Sequence, residues 1–429
     1  MKRVLILHYH EIWLKGENKN YFLSRLRAAI RHSLEDLPVA SLESIAERFI
    51  LTPSHEAALP QIVERLRRVF GLAYIAQARE VPSSLDSLGP AACAMMAEKA
   101  PRNFAVRVKM ADSGYGMSSM ELERELGRKV LEHLRGRDAS VRVKLVEPEV
   151  TCQVEIVPGR ALLYADRVEG PGGLPAATSG RVVALLSGGF DSAVAAYKMM
   201  RRGCHVTFVH FFGSPSPART SSRGVAEELV RALTPYQFTS RLYLIPFDAV
   251  QRQIVAGAQE RYRVLLYRRT MARIAREVAG AERALGLVTG DSVSQVASQT
   301  LHNLQAIDRG LDLPVYRPLA GDDKSEILRW ARHIGTYTIS CEPFEDCCPR
   351  FLPRAPAIFA NPEELDRAES KLDIESLIRM GLEGATASDY KFARGEVTVR
   401  EGPPRRLDKR LAGKQGGERQ PAAGNAVSN

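Results

Sequence analysis

An unbroken apolar run, Val182 to Leu186, leads straight into Ser187-Gly188-Gly189-Phe190-Asp191-Ser192, and an amphipathic stretch with Ala193, Ala196, Tyr197 and Met200 on one face follows. A strand without polar alternation is covered on both faces, which implies a parallel sheet clothed by helices. The pattern recurs at Val206–Phe211, Leu242–Phe247 and Leu285–Thr289, alternating with helical periodicity over Ser192–Arg202, Arg261–Ala279 and Lys324–Ile334. The turn after Leu185-Leu186 suits an anion: Gly188 and Gly189 let backbone N–H groups approach, Ser187 and Ser192 add hydroxyls, and the helix N-terminus adds its dipole. No lysine sits in it, so it is not the G-x-x-x-x-G-K-[ST] loop. The plain alternative is a tight strand-to-helix turn capped by serines. Open parallel sheets bind ligands at the carboxyl ends of their strands, where His210-Phe211 and Thr289-Gly290-Asp291 also fall. His210 is there either a satisfied core histidine or a nucleotide contact.

Residues 1–80 alternate short strands (Val4–Leu7, Phe49–Thr52, Ala73–Ala78) with helices (Asn20–Leu34, Leu59–Phe70), a small α+β unit. A second such unit follows: a helix near Asp86–Ala100, strand Phe104–Met110, helix Ser119–Leu134, and strands Val141–Leu145, Thr151–Val157 and Ala161–Tyr164. Residues 169–180 break every pattern, with glycine or proline at 170, 171, 172, 173 and 175, and form the best boundary in the chain. From residue 396 the chain becomes a basic tail without apolar periodicity, expected to be disordered. The longest candidate membrane span, Val182 to Met199, is interrupted by Asp191 and Lys198, so no transmembrane helix is expected. The balance of 60 basic to 50 acidic residues, a formal +10, is compatible with a polyanionic partner without proving one. Six cysteines are too few for a disulfide framework in 429 residues, and the grouping of Cys341, Cys347 and Cys348 points to reactive thiols in a reducing, cytoplasmic setting. Cys93, Cys152 and Cys204 lie in apolar patterns and read as inert core thiols.

The loop Ser187 to Ser192 resembles the PP-loop of ATP pyrophosphatases, S-G-G-x-D-S, enzymes that cleave ATP between the α and β phosphates and adenylate a substrate oxygen. Taken with Tyr267–Ala275, Thr289–Leu301, Asp323–Ile327 and Ile334–Cys348, the chain resembles the tRNA 4-thiouridine synthetase (tRNA uracil 4-sulfurtransferase) family over about residues 1–395. His10-Glu-Ile-Trp-Leu-Lys-Gly16 is similar to that family's G-E-I-x-L-K-G opening. Arg107-Val-Lys109, Ser119-Met-Glu121 and Gly172–Pro175 are similar to its THUMP domain and the exit from it. The chain departs from the family pattern at His10 (usually Gly), Gly114–Gly116 (a Phe-Pro turn), Ala193 (often Pro), Asp291 (Glu) and Asp322 (apolar). The resemblance implies an N-terminal ferredoxin-like α+β domain at 1–60, a THUMP domain at 61–168, a linker at 169–180, and a parallel-sheet α/β PP-loop domain, adenine nucleotide α-hydrolase-like, at 181–395.

The resemblance further implies ATP contacts at Leu185, Leu186, Ser187, Gly188, Gly189, Asp191, Ser192, His210, Phe211, Arg268, Gly290 and Gln299, with Mg2+ accompanying ATP. Arg268 is otherwise a solvated basic helix face. Lys324 becomes an active-site lysine, otherwise a surface residue behind the capping box of Asp323 and Glu326. Cys347 takes the place of the sulfur-carrying cysteine, with Cys348 or Cys341 as resolving thiol; alternatively the three hold an iron–sulfur cluster, although no C-x-x-C pair occurs. Lys15, Arg107, Lys109 and Lys144 are the expected tRNA phosphate contacts. The implied activity is ATP-dependent transfer of persulfide sulfur to a tRNA uridine, uridine 8 in the family. The partners are tRNA, a cysteine desulfurase or other persulfide donor, and a second copy of the chain. Fuller family members carry a C-terminal rhodanese domain, to which a role in thiamine synthesis is attributed; here no cysteine follows Cys348. A PP-loop enzyme thiolating another tRNA base is the competing reading.

Overall fold

The computed structural model describes residues 1–213, 221–342 and 356–405. They divide into two compact units. One comprises Met1–Thr178 with Arg201–Gly203 and Ala393–Glu396; the other comprises Ser179–Met200, Cys204–Phe392 and the chain from Val397.

In the first unit the strands are β1 (Lys2–His8), β2 (Val39–Ile45), β3 (Arg48–Pro53), β4 (Tyr74–Val81), β5 (Asn103–Met110), β6 (Arg142–Val143), β7 (Val150–Val157), β8 (Arg160–Tyr164) and β9 (Arg167–Glu169). The helices are α1 (Lys19–Ser33), α2 (Leu59–Leu66), α3 (Leu85–Lys99) and α4 (Ser119–Arg135). The sequence suggests two separate α+β units, but the strands join in one sheet, ordered β2-β3-β1-β4-β8-β7-β5-β6 with β9 also on β4. The join is β4, long enough to pair with β1 along its whole length and with β9 and β8 on its other edge. β9 also extends strand structure into what reads as linker. At the far edge Val141–Leu145 shortens to the two residues of β6, because Val143 and Leu145 are exposed and gain nothing from a longer ladder. Leu122, Leu126, Val130 and Leu134 form a buried stripe at helical spacing on α4, behind a capping box of Ser118 and Glu121.

One buried carboxylate ties the halves of this sheet together. Glu155 on β7 is fully buried. It receives Tyr164 Oη at 2.8 Å from β8, His8 Nε2 at 3.1 Å from β1, and the guanidinium of Arg48 from β3. Burial pushes the Glu155 carboxyl up, but the bonds from His8, Arg48 and Tyr164 outweigh it and hold the group at about 2.

The second unit is a seven-stranded sheet ordered β14-β13-β10-β11-β12-β15-β16. Its strands are β10 (Arg181–Leu185), β11 (His205–Phe212), β12 (Thr239–Pro246), β13 (Leu287–Val288), β14 (Val315–Tyr316), β15 (Thr386–Ala393) and β16 (Glu396–Gly402). The first five pair in parallel, and β15 adds antiparallel to β12. The helices are α5 (Phe190–Arg201), α6 (Ser222–Leu233), α7 (Asp248–Gly257), α8 (Arg263–Glu282), α9 (Leu301–Asp308), α10 (Lys324–His333), α11 (Tyr337–Cys341), α12 (Pro362–Glu369) and α13 (Ile374–Glu383). The disorder expected from residue 396 is corrected over Glu396–Gly402, which forms β16. Gly395, at φ +85°, closes a turn after β15 that a sequence scan for apolar periodicity does not register.

Replacing Glu155 by Ala leaves Arg48 buried and unpaired, at a cost of about 3–5 kcal/mol. Scanning calorimetry of the full chain is expected to show the transition that unfolds the first unit falling by many degrees. The sign in pH follows from the depressed carboxyl: the stabilisation is complete above the ordinary value of 4.5 and is lost as pH falls towards about 2. An unchanged midpoint for the variant would mean that the network contributes nothing.

Candidate active site

Because the chain leaves β10 for β11 and β12 on one side and returns to β13 on the other, the sheet order reverses between β10 and β13. In open α/β sheets this is where two loops diverge and a ligand fits. The loop after β10 is Leu186 to Gly189, and the segment after β13 opens with Thr289-Gly290-Asp291.

The first loop is built around Ser192. Its hydroxyl receives the Ser187 N–H at 3.0 Å, lies 3.1 Å from Ser187 Oγ, and faces the Gly189 carbonyl at 3.0 Å. Ser187 Oγ accepts the Gly189 N–H at 3.2 Å. The two serines therefore shape the turn from inside. Beneath it, His210 is buried with Nδ1 donating to the Leu186 carbonyl at 2.8 Å and Nε2 accepting from Ser222 Oγ at 3.3 Å. The imidazole is a strut under the loop. Phe211 is buried, packed edge-on against Phe247 at 5.3 Å.

Gly290 meets the other side of the helix start. A Cβ there would lie 2.6 Å from the Ser192 nitrogen and 2.8 Å from the Asp191 carbonyl carbon. The glycine lets the second segment press on the first turn of α5.

Asp291 follows, buried, and acts as a hub. Its carboxylate takes Arg268 Nη2 at 2.6 and 2.7 Å, Thr289 Oγ1 at 2.8 Å, Gln299 Nε2 at 3.0 Å and Arg317 Nε at 3.3 Å. Burial pushes this carboxyl up, yet the Arg268 charge and the bonds from Thr289, Arg317 and Gln299 hold it below the ordinary range. Arg268 also donates to the Ser298 carbonyl at 2.7 Å. The alternative of a solvated basic helix face therefore does not apply: Arg268 is largely buried and Arg269 entirely so, bonded to Ala306, Asp366 and Glu369. In the sequence Asp291 is marked by its place just after a strand end and by its departure from the family pattern; its role as a hub is not, because Arg268, Gln299 and Arg317 come from other segments.

At the mouth of the loop Lys324 Nζ sits 3.0 and 3.1 Å from the two Asp191 oxygens and 4.3 Å from the Phe190 ring centre. Lys324 opens α10, and Asp323 and Glu326 form the expected capping box before it. Gln295 Nε2 reaches Asp191 at 3.5 Å. Lys198 is paired with Asp322, whose backbone carbonyl accepts Ser292 Oγ at 3.0 Å. Tyr337, at the start of α11, lies 6.2 Å from the Phe190 ring, and Cys341, one turn further on, is exposed. Cys347 and Cys348 lie outside the described residues. Among the described residues no group of three His, Cys, Asp or Glu side chains could hold a metal. Cys152 is buried, its thiol pushed up by burial to about 12; Cys204 is buried; Cys93 is only partly so, with burial raising its thiol.

The basic residues singled out in the first unit fare differently. Lys144 is exposed. Lys109 is half exposed, near Tyr74 Oη at 3.3 Å and Glu155 at 4.0 Å. Lys15 lies over the Phe22 ring at 5.0 Å. Arg107 is committed to the Leu145 carbonyl at 2.8 Å and to Glu123 at 3.7 Å.

Comparison with known proteins then places the chain. Residues 177–374 match the family model described as thiamine biosynthesis protein (ThiI), residues 4–76 its ferredoxin-like domain and residues 82–166 the THUMP domain. The probable tRNA sulfurtransferase of Thermus thermophilus is 43% identical over 393 residues, 91% of this chain and 94% of that protein. That of Moorella thermoacetica is 38% identical, covering 88% and 95%. Among solved structures, a 4-thiouridine synthetase–RNA complex with bound ATP superposes with a TM-score of 0.78 at 31% identity, covering 90% of this chain and 99% of that one. PH1313 from Pyrococcus horikoshii, at 23% identity and TM-score 0.58 over 78% of this chain and 99% of its own, shares the fold.

Gly290→Ala is expected to cost about 1–3 kcal/mol through overpacking against the first turn of α5. The check is denaturant unfolding of the full chain, and a cost below about 0.5 kcal/mol would show that the two segments do not press together. With the reversal point of the sheet, its glycine-mediated contact and the relatives all in agreement, the chain belongs to the tRNA sulfurtransferase (ThiI) family.

Proposed function

We propose that this chain is an ATP-dependent tRNA sulfurtransferase that forms 4-thiouridine at uridine 8 through an adenylated uracil. The observation that carries the reading is the convergence, at the point of reversal in the sheet, of the Ser187–Ser192 loop with Lys324, which lies 133 residues away in sequence and pairs with Asp191. The relative seen with RNA and ATP supports the substrates.

In this reading the loop N–H groups and the α5 N-terminus seat the ATP phosphates, and Lys324 offsets charge as it develops. Uracil O4 attacks the α-phosphorus and pyrophosphate departs. The terminal sulfur of a Cys347 persulfide attacks C4 and expels AMP. A second thiolate, Cys341 or Cys348, attacks the Cys347 sulfur, forming a protein disulfide and releasing the thiolated base; an external thiol reductant then resets the pair. A Mg2+ ion fits as substrate company: the Asp191 carboxylate is a quarter exposed, and Mg2+ is commonly held by one or two carboxylates together with substrate phosphates. A cysteine desulfurase or similar persulfide donor, a dimeric state and a cytoplasmic setting complete the proposal; among the described residues no helix is long and apolar enough to cross a membrane.

Asp191→Ala and Lys324→Ala are each expected to abolish thiolation while tRNA affinity stays within a few-fold. Because the pair is exposed, each should change stability by less than about 1 kcal/mol, so lost activity is not lost folding. Nucleoside analysis of tRNA incubated with each purified variant is the measurement, and wild-type 4-thiouridine formation by either would reject the site. With a persulfide donor supplied, Cys347→Ser should lose activity by several orders of magnitude.

For RNA binding, Lys144→Ala should reduce the log–log salt slope by about 0.9 on duplex RNA contacts, as one phosphate neutralised predicts. Arg107→Ala should change it less, since that guanidinium already has partners. Equal slopes for both variants and wild type, in a salt series of filter binding, would remove these residues from the interface.

A further inference from the structure

The acidic residues of α12 are already committed, which leaves one side of the helix positive. Glu363 is paired with Arg309 at 2.6 Å, Asp366 with Arg269 at 2.8 Å, and Glu369 with Arg269 at 2.9 Å. Glu364 accepts Tyr262 Oη at 2.6 Å and lies 3.8 Å from Arg261. Arg367 and, just past the helix, Lys371 line a cleft of about 370 Å³ between α12 and the turn at residues 257–262. Arg367 donates through Nε to the Glu363 carbonyl at 3.3 Å, and neither cation has an ion-pair partner among the described residues. The cleft therefore offers an anion two uncompensated charges.

An exposed apolar face adjoins it. The Ala357 N–H donates to the Arg261 carbonyl at 3.1 Å, and two residues further on Phe359 is 72% exposed, with Leu301 beside that segment at 65%. Two residues of chain span no more than about 7 Å, so Phe359 begins next to the cleft. Its backbone is fastened to the start of α9. Thr300 Oγ1 donates to the Ile358 carbonyl at 2.7 Å, and Asn303 donates to the Ala357 carbonyl at 2.8 Å and accepts the Ala360 N–H at 2.9 Å. The His302 ring stands perpendicular to that of Phe359, with centres 5.4 Å apart. A solvent-facing aromatic beside unpaired cations is the combination that binds single-stranded nucleic acid, cation to phosphate and ring to base.

This surface borders the candidate active site. Arg263 opens α8, and Arg268, five residues or roughly 8 Å of helix further on, holds Asp291. Thr300 follows Gln299, which also bonds Asp291, and Ala357 comes ten residues after Cys347 in sequence. Chemistry on a base takes it out of its stack, so the nucleotides next to it must pass over the rim of the site. Resting on the proposed tRNA-thiolating reading, we propose that the cleft at Arg367 and Lys371 and the adjoining Phe359 hold an unpaired stretch of the tRNA next to the target uridine. The two cations take its phosphates, and the ring stacks one of its bases.

The test is a filter-binding series in salt with the full-length protein and unmodified tRNA. Replacing both cations, Arg367→Gln with Lys371→Gln, is expected to lower the log–log salt slope by about 1.4, two single-strand phosphate contacts at about 0.7 each. Phe359→Ala should bind about fivefold or more weakly with its slope unchanged, and Phe359→Trp should bind as wild type does. All three positions are exposed, so ATP binding by the same preparations should stay within about twofold. An unchanged slope in the double variant, or unchanged affinity in Phe359→Ala, overturns the inference. It is also overturned if the double variant binds tRNA normally but takes sulfur from a protein persulfide donor more slowly than wild type does, which would assign the cleft to an acidic protein. Each of these results leaves the proposed function standing as long as wild type forms 4-thiouridine. If wild type forms none, that reading fails whatever the slopes show.

Discussion

The contact on which the second unit's site depends is the one between Gly290 and the start of α5. A parallel sheet that reverses its winding leaves two loop segments diverging from neighbouring strands, and nothing in sheet geometry alone fixes their separation. Here the absence of a side chain at 290 sets it, since any Cβ would collide with backbone at Ser192 and Asp191. That approach brings Asp291, and through it Arg268, Gln299 and Arg317, to a fixed place relative to the turn shaped by Ser187 and Ser192. The serine-shaped turn and the polar cluster beside it are two products of one backbone contact.

The first unit solves a different problem by similar means. Its sheet runs through two successive family modules, and such a sheet needs a reason to stay in one register across the join. Apolar packing supplies most of the stability, in clusters on each part. Glu155 supplies specificity of position, because its lone pairs are met from β1, β3 and β8 at once. A slip of one residue in β7 would turn that carboxylate to the opposite face and strand Arg48. Both units therefore place one buried carboxylate where several strands or loops must agree.

Legibility in the sequence follows the range of the forces involved. The strand-loop-helix at Val182–Met200, the capping box at Asp323, the helices α1, α3, α4 and α8 and most of the strands are written in local periodicity and turn chemistry, and they were readable. The antiparallel additions β15 and β16, the two-residue strand β14, and the joining of the N-terminal strands into one sheet are not, since partners distant in sequence decide them; β13 was read, though two residues long where the sequence suggests five. Among site residues, Lys324 and Asp191 were legible as types. Their pairing, the strut role of His210 and the hub at Asp291 were not, because each depends on where another loop ends. Arg107 reads as a free cation until Leu145 and Glu123 are seen beside it.

Two of the ion pairs at the site divide its labour. Arg268 with Asp291 is largely buried and held at two oxygens; breaking such a pair costs about 3–5 kcal/mol. Lys324 with Asp191 is exposed, side chains 47% and 26% accessible, and an exposed pair contributes about 1 kcal/mol or less. In the proposed reading, an incoming polyphosphate separates Lys324 from Asp191 at little cost, recruiting the cation to phosphate and freeing the carboxylate. It cannot recruit Arg268 in the same way. In the proposed reading, the positive potential offered to phosphate comes from Lys324 and the N-terminus of α5, while Arg268, held at both oxygens of Asp291, fixes the shape of the site. The site is held on the side of β13 by a largely buried pair and on the side of α10 by an exposed one, so only the second can be exchanged for a ligand at little cost.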